Sequence, residues 1–241
     1  MRFKLMVLLA ALVSFGALAI AEDIDGKVIV TRKLTKRRVT ASLPLYQRGT
    51  AVELGSDEPE DSLAFERERV VIYIEGRHAS APITATLDQQ NRRFKEDTLV
   101  IPAGSKVSFP NQDPIFHNIF SLSKAKSFDL GYYPKGDTRV VAFPEPGIVL
   151  VGCHLHSNMA ATIVVTPNGW YARADREGNF TIRDIPPGDY NLIAWHKTAG
   201  YFTKTIRVTA GQNTNVEFLV PLEGQQDPGD QREPNAMRAR K

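Results

Sequence analysis

The chain has 241 residues, enough for one or two domains, and 42% of them are hydrophobic. Its 30 basic and 27 acidic residues nearly balance, so composition gives no argument for a nucleic-acid partner or for a membrane surface. The single cysteine, Cys153, excludes an intramolecular disulfide and a binuclear copper centre bridged by two thiolates.

Residues 1–21 have the pattern of a secretory signal peptide. Arg2 and Lys4 precede an apolar run that is short for a membrane span, and Ala19-Ile20-Ala21 has the form of a cleavage site. We therefore expect a periplasmic protein with no membrane span after cleavage; an uncleaved anchor is the alternative. In that oxidising space an unpaired cysteine is a liability unless something, such as a metal, protects it.

The rest of the chain has the pattern of an all-β protein. Short runs rich in Val, Ile, Phe and Tyr are separated by Gly, Pro, Asn and Asp, and no segment after residue 21 shows convincing helical periodicity. The predicted strands are Lys27–Thr31, Arg69–Glu75, Thr98–Ile101, Lys106–Phe109, Arg139–Phe143, Ile148–Gly152, Ala161–Val165, Gly169–Ala174, Asn179–Ile182, Asp189–Trp195, Thr203–Val208 and Asn213–Leu219. Strands at this spacing predict β-sandwiches. The acidic stretch 50–68 is predicted to be a long surface loop, and 223–241 a disordered tail.

Four residues form a candidate metal site. Cys153, His156 and Met159 follow one another as Cys-x-x-His-x-x-Met, in a predicted loop between two strands. One loop cannot surround a metal, so a further ligand must come from elsewhere, and His117 lies 36 residues before Cys153. A thiolate, two imidazoles and a weak thioether are the ligand set of a type 1 (blue) copper site.

The surroundings of this candidate site are also predictable. Four aromatic side chains are expected to keep it dry and rigid: Phe109, Phe116, Phe120 and Phe143. The Asn118 side chain is expected to tie the two ligand segments together. A Cys/His pair alone also suits zinc, but zinc has no use for Met159. Zinc and a metal-free structural core remain the alternatives to copper.

The remaining histidines have structural interpretations. His154 is expected to point outward as a surface residue, although it could perturb the copper potential or offer a second metal contact. His78 is expected in a solvated linker. His196 ends an apolar strand and is expected to be partly buried.

Residues from about Asn91 to Val165 resemble a plastocyanin- or amicyanin-type cupredoxin. The resemblance rests on Val107-Ser108-Phe109-Pro110-Asn111, His117-Asn118, Phe128-Asp129-Leu130, Pro146-Gly147 and Gly152-Cys153-x-x-His156-x-x-Met159. The short spacing of the last motif is similar to that of amicyanin. The wider pattern resembles periplasmic proteins labelled methylamine-utilisation or plastocyanin-like proteins. This resemblance implies a Greek-key sandwich with one type 1 copper held by His117, Cys153, His156 and Met159.

A second resemblance concerns the flanking segments. Tyr171–Ile182, with its Glu177-Gly178 turn between two strands expected to form a hairpin, and Ile185–Leu192 resemble a carboxypeptidase-regulatory (transthyretin-like) sandwich module. Its first strands are missing there, and Asp25–Val28 and Val70–Glu75 fit them. We therefore expect 22–80 and 167–222 to form one small Ig/transthyretin-like sandwich, into which the cupredoxin domain (81–166) is inserted. A short N-terminal extension beside a separate C-terminal module is the alternative.

These patterns predict an exported protein that transfers single electrons and is not an enzyme. Electrons are expected to pass at the His156 edge, and the partners to be transiently bound redox proteins, such as a cytochrome c or a dehydrogenase. The rival hypotheses are a periplasmic protein that stores or delivers copper and a metal-stabilised binding module without electron transfer.

Overall fold

The computed structural model describes residues 21–34 and 63–221; the predicted signal peptide except its last residue, most of the acidic stretch and the predicted tail lie outside these ranges. Within these two ranges, one short helix and seventeen strands follow in chain order. They are β1 Glu22–Val30, α1 Ala64–Arg67, β2 Val70–Ile74, β3 Thr84–Thr86, β4 Gln89–Gln90, β5 Arg93–Phe94, β6 Thr98–Pro102, β7 Ser105–Pro110, β8 His117–Ser123, β9 Lys126–Tyr133, β10 Thr138–Phe143, β11 Gly147–Cys153, β12 Ala160–Thr166, β13 Tyr171–Arg173, β14 Asn179–Ile185, β15 Gly188–His196, β16 Gly200–Val208 and β17 Thr214–Val220. The expectation of an all-β fold is confirmed.

The middle of the chain forms one pair of sheets, which we name the central sandwich (β3–β12). Its five-stranded sheet has the order β6-β12-β11-β8-β9, and its three-stranded sheet the order β10-β7-β3, with the small hairpin β4-β5 alongside. The alternate residues of β7 and β11 face inward, as the period of a strand requires. Their buried side chains share one core with Cys153 and Met159.

The two ends of the described chain form a second pair of sheets, the flanking sandwich (β1, β2 and β13–β17). One sheet has the order β14-β1-β17 and the other β13-β2-β15-β16. Strand β1 runs parallel to β17, with Ile24 opposite Thr214 and Val30 opposite Val220. Strands from before and after the central sandwich therefore share sheets, which is the pairing that an inserted domain requires. The predicted domain limits stay a prediction.

The two sandwiches pack against each other through the outer faces of their larger sheets. All five residues of β2 are buried because its two faces lie against different layers. Val70, Ile72 and Ile74 face the core of the flanking sandwich. Val71 and Tyr73 join a third apolar cluster that lies between the sandwiches, together with Val100, Val164, Ile193 and Trp195.

Polar contacts border this apolar interface. The Arg173 guanidinium donates to the main-chain oxygens of Glu68 and Thr98, and so joins the two sandwiches. Arg69 of the flanking sandwich forms a salt bridge with Asp97 of the central one. The four sheets therefore form a continuous stack rather than two bodies joined by a bare linker.

Two predictions about local structure were wrong. The end of the stretch expected to be a surface loop forms helix α1, which buries Ala64 and Glu66 against the flanking sandwich. The expected hairpin around Glu177-Gly178 does not form, because β13 pairs with β2 while β14 pairs with β1 in the opposite sheet. Turn residues specify a change of direction, whereas the partner strand is decided by packing.

Two further observations concern surface and membrane. His78 is not simply solvated, because its ring packs against Trp170 in a tilted arrangement, with 4.4 Å between centroids. Within residues 21–34 and 63–221, no helix has the length and apolar character needed to cross a membrane.

Candidate metal centre

Strand pairing brings two of the predicted ligands together. His117 is the first residue of β8 and Cys153 the last of β11, and these strands are antiparallel neighbours, with Cys153 opposite Ile119. The Cys153 Sγ lies 3.8 Å from Nδ1 of His117. The pairing of β8 with β11 thus brings together two residues that are 36 positions apart in the sequence.

The loop between β11 and β12 supplies His156. Its Nδ1 lies 3.7 Å from the Cys153 Sγ, and its main-chain oxygen accepts a hydrogen bond of 2.9 Å from the amide of Met159. This turn leads the chain back into the core. Met159 is almost fully buried and belongs to the same apolar cluster as Cys153.

The spacing of these side chains fits a metal ion. One donor atom from each of His117, Cys153 and His156 lies within 4.8 Å of the others. Nitrogen and sulfur ligands at bond lengths of about 2.0–2.3 Å from a trigonal centre are separated by about 3.5–4.0 Å. Both Sγ···Nδ1 distances, 3.8 and 3.7 Å, lie in that range. These three residues can therefore hold one ion without a large rearrangement.

Asp113, which the sequence analysis did not single out, orients His117. The Nε2–H of His117 donates to the Asp113 carboxylate at 2.9 Å, so Nδ1 keeps its lone pair and faces the Cys153 sulfur. A carboxylate behind a histidine ligand fixes the tautomer and the ring orientation. The available sequence signal was an acidic residue four positions before the histidine, in the polar Asn111-Gln112-Asp113 turn.

Hydrogen bonds keep Asp113 charged in this buried position. Burial by itself raises the pKa of the carboxyl group, but the main-chain amides of Arg92 and Asn91 and the side chain of His117 outweigh it and lower the pKa of Asp113 overall. The two amide nitrogens lie 2.8 and 2.6 Å from the carboxylate oxygens. A charged carboxylate is the stronger acceptor for the imidazole N–H.

The expected aromatic surround is present only in part. Phe109 and Phe143 are buried in the core of the central sandwich, in the same apolar cluster as Cys153 and Met159. Phe116 is 55% exposed. Phe120 lies on the outer face of its sheet, where the His154 ring stacks on it at 3.8 Å between centroids. The alternation of side chains along β8 places Ile119, rather than Phe120, in the core.

Asn118 and His154 both approach Asp129 of β9. The Asn118 amide donates at 2.6 Å to Asp129 of β9 and does not tie the two ligand segments together. His154 is half exposed, as expected, and its Nε2 lies 3.8 Å from the other oxygen of Asp129. Its ring and that of Phe120 are nearly parallel, at 3°. His154 thus lies outside the cluster of His117, Cys153 and His156.

Exposed apolar residues precede both clustered histidines in the chain. His156 itself is only partly buried. Phe116, which precedes His117, is 55% exposed, and Leu155, which precedes His156, is 48% exposed. Burial, the neighbouring His117 and the positive charge of Arg92 together lower the pKa of His156, against an opposing effect of Asp113. A lowered pKa favours the neutral imidazole, which is the form that binds a metal.

Comparisons with known proteins give partial likenesses. A family model described as polysaccharide lyase family 4, domain II, matches residues 163–216, a range that begins within β12 and contains β13–β16 of the flanking sandwich. No match is found among curated proteins. The resemblance to a carboxypeptidase-regulatory module stays a prediction.

Among solved structures, the chain is similar over part of its length to a copper-containing nitrite reductase from Thermus scotoductus, at 24% identity and a TM-score of 0.33. That likeness covers 37% of this chain and 24% of the reductase chain, so this protein spans about a quarter of that relative. A purple cupredoxin from Nitrosopumilus maritimus is 23% identical, with a TM-score of 0.31, over 34% of this chain and 99% of its own. A mutant of amicyanin in its Cu(I) state is 17% identical, with a TM-score of 0.32, over 39% of this chain and 97% of its own. These structural neighbours are cupredoxins and a copper enzyme.

Proposed function

We propose that this protein is an exported cupredoxin-like carrier of single electrons with one type 1 copper site. The observation that supports this most directly is the cluster of His117, Cys153 and His156, whose donor atoms lie within 4.8 Å of one another. Met159, the predicted fourth ligand, is buried in the same core cluster as Cys153. One thiolate and two imidazoles with a weak thioether favour copper over zinc.

Copper bound by these residues would supply a one-electron couple at a fixed position. The protein's own contribution is to keep that position rigid and dry. Cys153 and His117 lie on paired strands, Asp113 fixes the His117 ring, and the buried Met159 belongs to the same core cluster as Cys153. Ligands held in this way move little when the charge of the site changes, which favours fast electron exchange.

We place the route for electrons at the His156 edge. His156 is the least buried of the three clustered residues, and the residues that precede His117 and His156 in the chain, Phe116 and Leu155, are apolar and exposed. An apolar contact of modest size suits a partner that binds and leaves quickly. The partners that fit are other redox proteins, such as a cytochrome c or a dehydrogenase, in the periplasm. The protein would have no catalytic turnover of its own.

The test is a titration of the purified protein with Cu(II), followed by visible absorption and electron paramagnetic resonance (EPR). We expect one equivalent of copper, an intense blue charge-transfer band and narrow hyperfine splitting. Cys153→Ser should lose the band, because the thiolate is its source. His154→Gln is the matched control, since His154 is adjacent to Cys153 in sequence but lies outside the cluster.

A colourless complex, or an ordinary tetragonal EPR spectrum, would contradict the proposal. Metal analysis and the rate of copper loss would then separate copper storage or delivery from a zinc site.

A further inference from the structure

The turn between β4 and β5 has an unusual backbone. Its two central residues, Asn91 and Arg92, have φ angles of 57° and 55°, in the left-handed region. A two-residue hairpin turn needs this conformation at both positions, and the usual sequence there is Asn-Gly. Asn tolerates it, whereas a long side chain such as that of Arg92 is strained.

The strained turn converges on a single carboxylate. The amide N–H of Asn91 donates to Oδ1 of Asp113 at 2.6 Å, and that of Arg92 donates to Oδ2 at 2.8 Å. The same Oδ2 accepts the Nε2–H of His117 at 2.9 Å. Main-chain amides that point together in this way form a cradle for an anion. Three donors therefore fix the position of one buried carboxylate.

The hairpin is itself fastened to the loop that carries Asp113. The side-chain amide of the buried Gln89 donates through Nε2 to the Tyr133 hydroxyl at 2.6 Å and to the main-chain oxygen of Pro110 at 3.2 Å. The Gln112 amide N–H donates to the main-chain oxygen of Gln89 at 3.0 Å. The turn is thus held against Asp113 and does not depend on Asp113 alone for its place.

We propose that the Asn91-Arg92 turn is a positioning element of the metal centre, which sets the tautomer of His117 by clamping Asp113. With the clamp in place, the carboxylate accepts a hydrogen bond from the Nε2–H of His117, and the Nδ1 lone pair faces Cys153. Without it, Asp113 can turn toward solvent, and His117 loses the acceptor that selects this tautomer. The relevance to copper rests on the proposed function, but the clamp itself is a property of the metal-free protein.

The experiment uses the metal-free full chain and reads the His117 tautomer from its ring ¹⁵N chemical shifts. In the wild type, we expect nearly pure Nε2–H tautomer and slow hydrogen exchange of the Asn91 and Arg92 amides. Arg92→Gly accepts the left-handed backbone, keeps the N–H and should preserve both signals. Arg92→Val disfavours that backbone because it is β-branched, and should produce a mixture of tautomers and faster amide exchange.

Position 93 provides the matched control. Arg93 lies in strand β5, so Arg93→Val suits the backbone and should leave the His117 signals unchanged, whereas Arg93→Gly should only lower stability. Asp113→Asn keeps the volume of the side chain but not its charge, and should reproduce the tautomer mixture of Arg92→Val.

Two results would overturn the proposal. One is an unchanged His117 tautomer in Asp113→Asn. The other is an unchanged tautomer in Arg92→Val when the same variant shows faster amide exchange in the turn, because the turn would then be structural only. If the wild type fails to form a blue copper complex, the proposed function fails, whereas these metal-free measurements still decide whether the clamp exists.

Discussion

Glu66 and His196 meet in the interior of the flanking sandwich, with Oε2 of the carboxyl group 3.2 Å from Nε2 of the imidazole and both side chains inaccessible to solvent. The other carboxyl oxygen accepts a hydrogen bond from the main-chain N–H of Leu34. This bond ties the chain after β1 to helix α1. Nδ1 of His196 accepts the amides of Thr198 and Ala199. Because Nδ1 is an acceptor, the ring proton lies on Nε2 and His196 is neutral.

This arrangement predicts that acid destabilises the flanking sandwich. Burial, and then the charge of Arg69, lower the pKa of His196 in spite of Glu66. As the pH falls below the ordinary histidine value of about 6.5, the unfolded chain binds a proton that the folded chain does not, so stability falls by up to about 1.4 kcal/mol per pH unit. Urea unfolding of the metal-free protein between pH 7.5 and 5 measures this slope.

His196→Gln should flatten that slope, although it lowers stability at neutral pH. His78→Gln removes a histidine that packs against Trp170 and is the control. An identical slope in His196→Gln and in the wild type would show that His196 does not control the acid response.

Asp113→Asn should weaken copper binding by about 10–100-fold, the usual cost of losing a carboxylate behind a histidine ligand. The amide cannot offer the same charged acceptor to the imidazole. Competition with a chelator of known affinity measures the change. Asp137→Asn, at a partly exposed carboxylate that pairs with Arg139, is the control and should bind copper as the wild type does. Equal copper affinities for the wild type, Asp113→Asn and Asp137→Asn would show that Asp113 does not contribute to copper binding.

Met159→Leu tests whether Met159 binds the metal or only packs in the core. The two side chains have similar volumes, so the free energy of unfolding of the metal-free protein should change by less than about 1.5 kcal/mol. If the thioether is the axial ligand, the copper-loaded variant should show a shifted reduction potential and a shifted absorption spectrum. Ile119→Leu, in the same core cluster, tests whether repacking alone has this effect. Wild-type spectra and potential in Met159→Leu would assign Met159 to packing only.

Arg92→Gln should lower the reduction potential of the copper site. The guanidinium charge acts on His156, and a nearby cation disfavours the more positive oxidised state of a metal. The shift should shrink as ionic strength rises, because salt screens an exposed charge. Protein-film voltammetry at low and high salt measures it. Arg93→Gln removes the same charge from the adjacent residue; equal shifts in both variants would indicate a general charge effect and no specific role for Arg92.

The candidate metal-binding residues Cys153, His156 and Met159 could be predicted from the sequence because they lie close together in it. Cys153, His156 and Met159 fall within seven positions, and such short spacing fixes what one turn can present. The all-β class was accessible for a similar reason, since alternation and turn residues act over a few positions. Strands β2 and β15 are buried on both faces, and their sequences contain apolar runs without polar alternation, as such strands require.

The rest was decided by contacts between distant parts of the chain. The pairing of β8 with β11 brings His117 to Cys153, and the β4-β5 hairpin brings the Asn91 and Arg92 amides to Asp113. The expected hairpin at Glu177-Gly178 was wrong because β13 and β14 each found a partner strand from before the central sandwich. Local sequence specifies which segments are strands and which groups can bind a metal. Which strands become neighbours depends on burying all the apolar faces at once, and only the folded chain satisfies that condition.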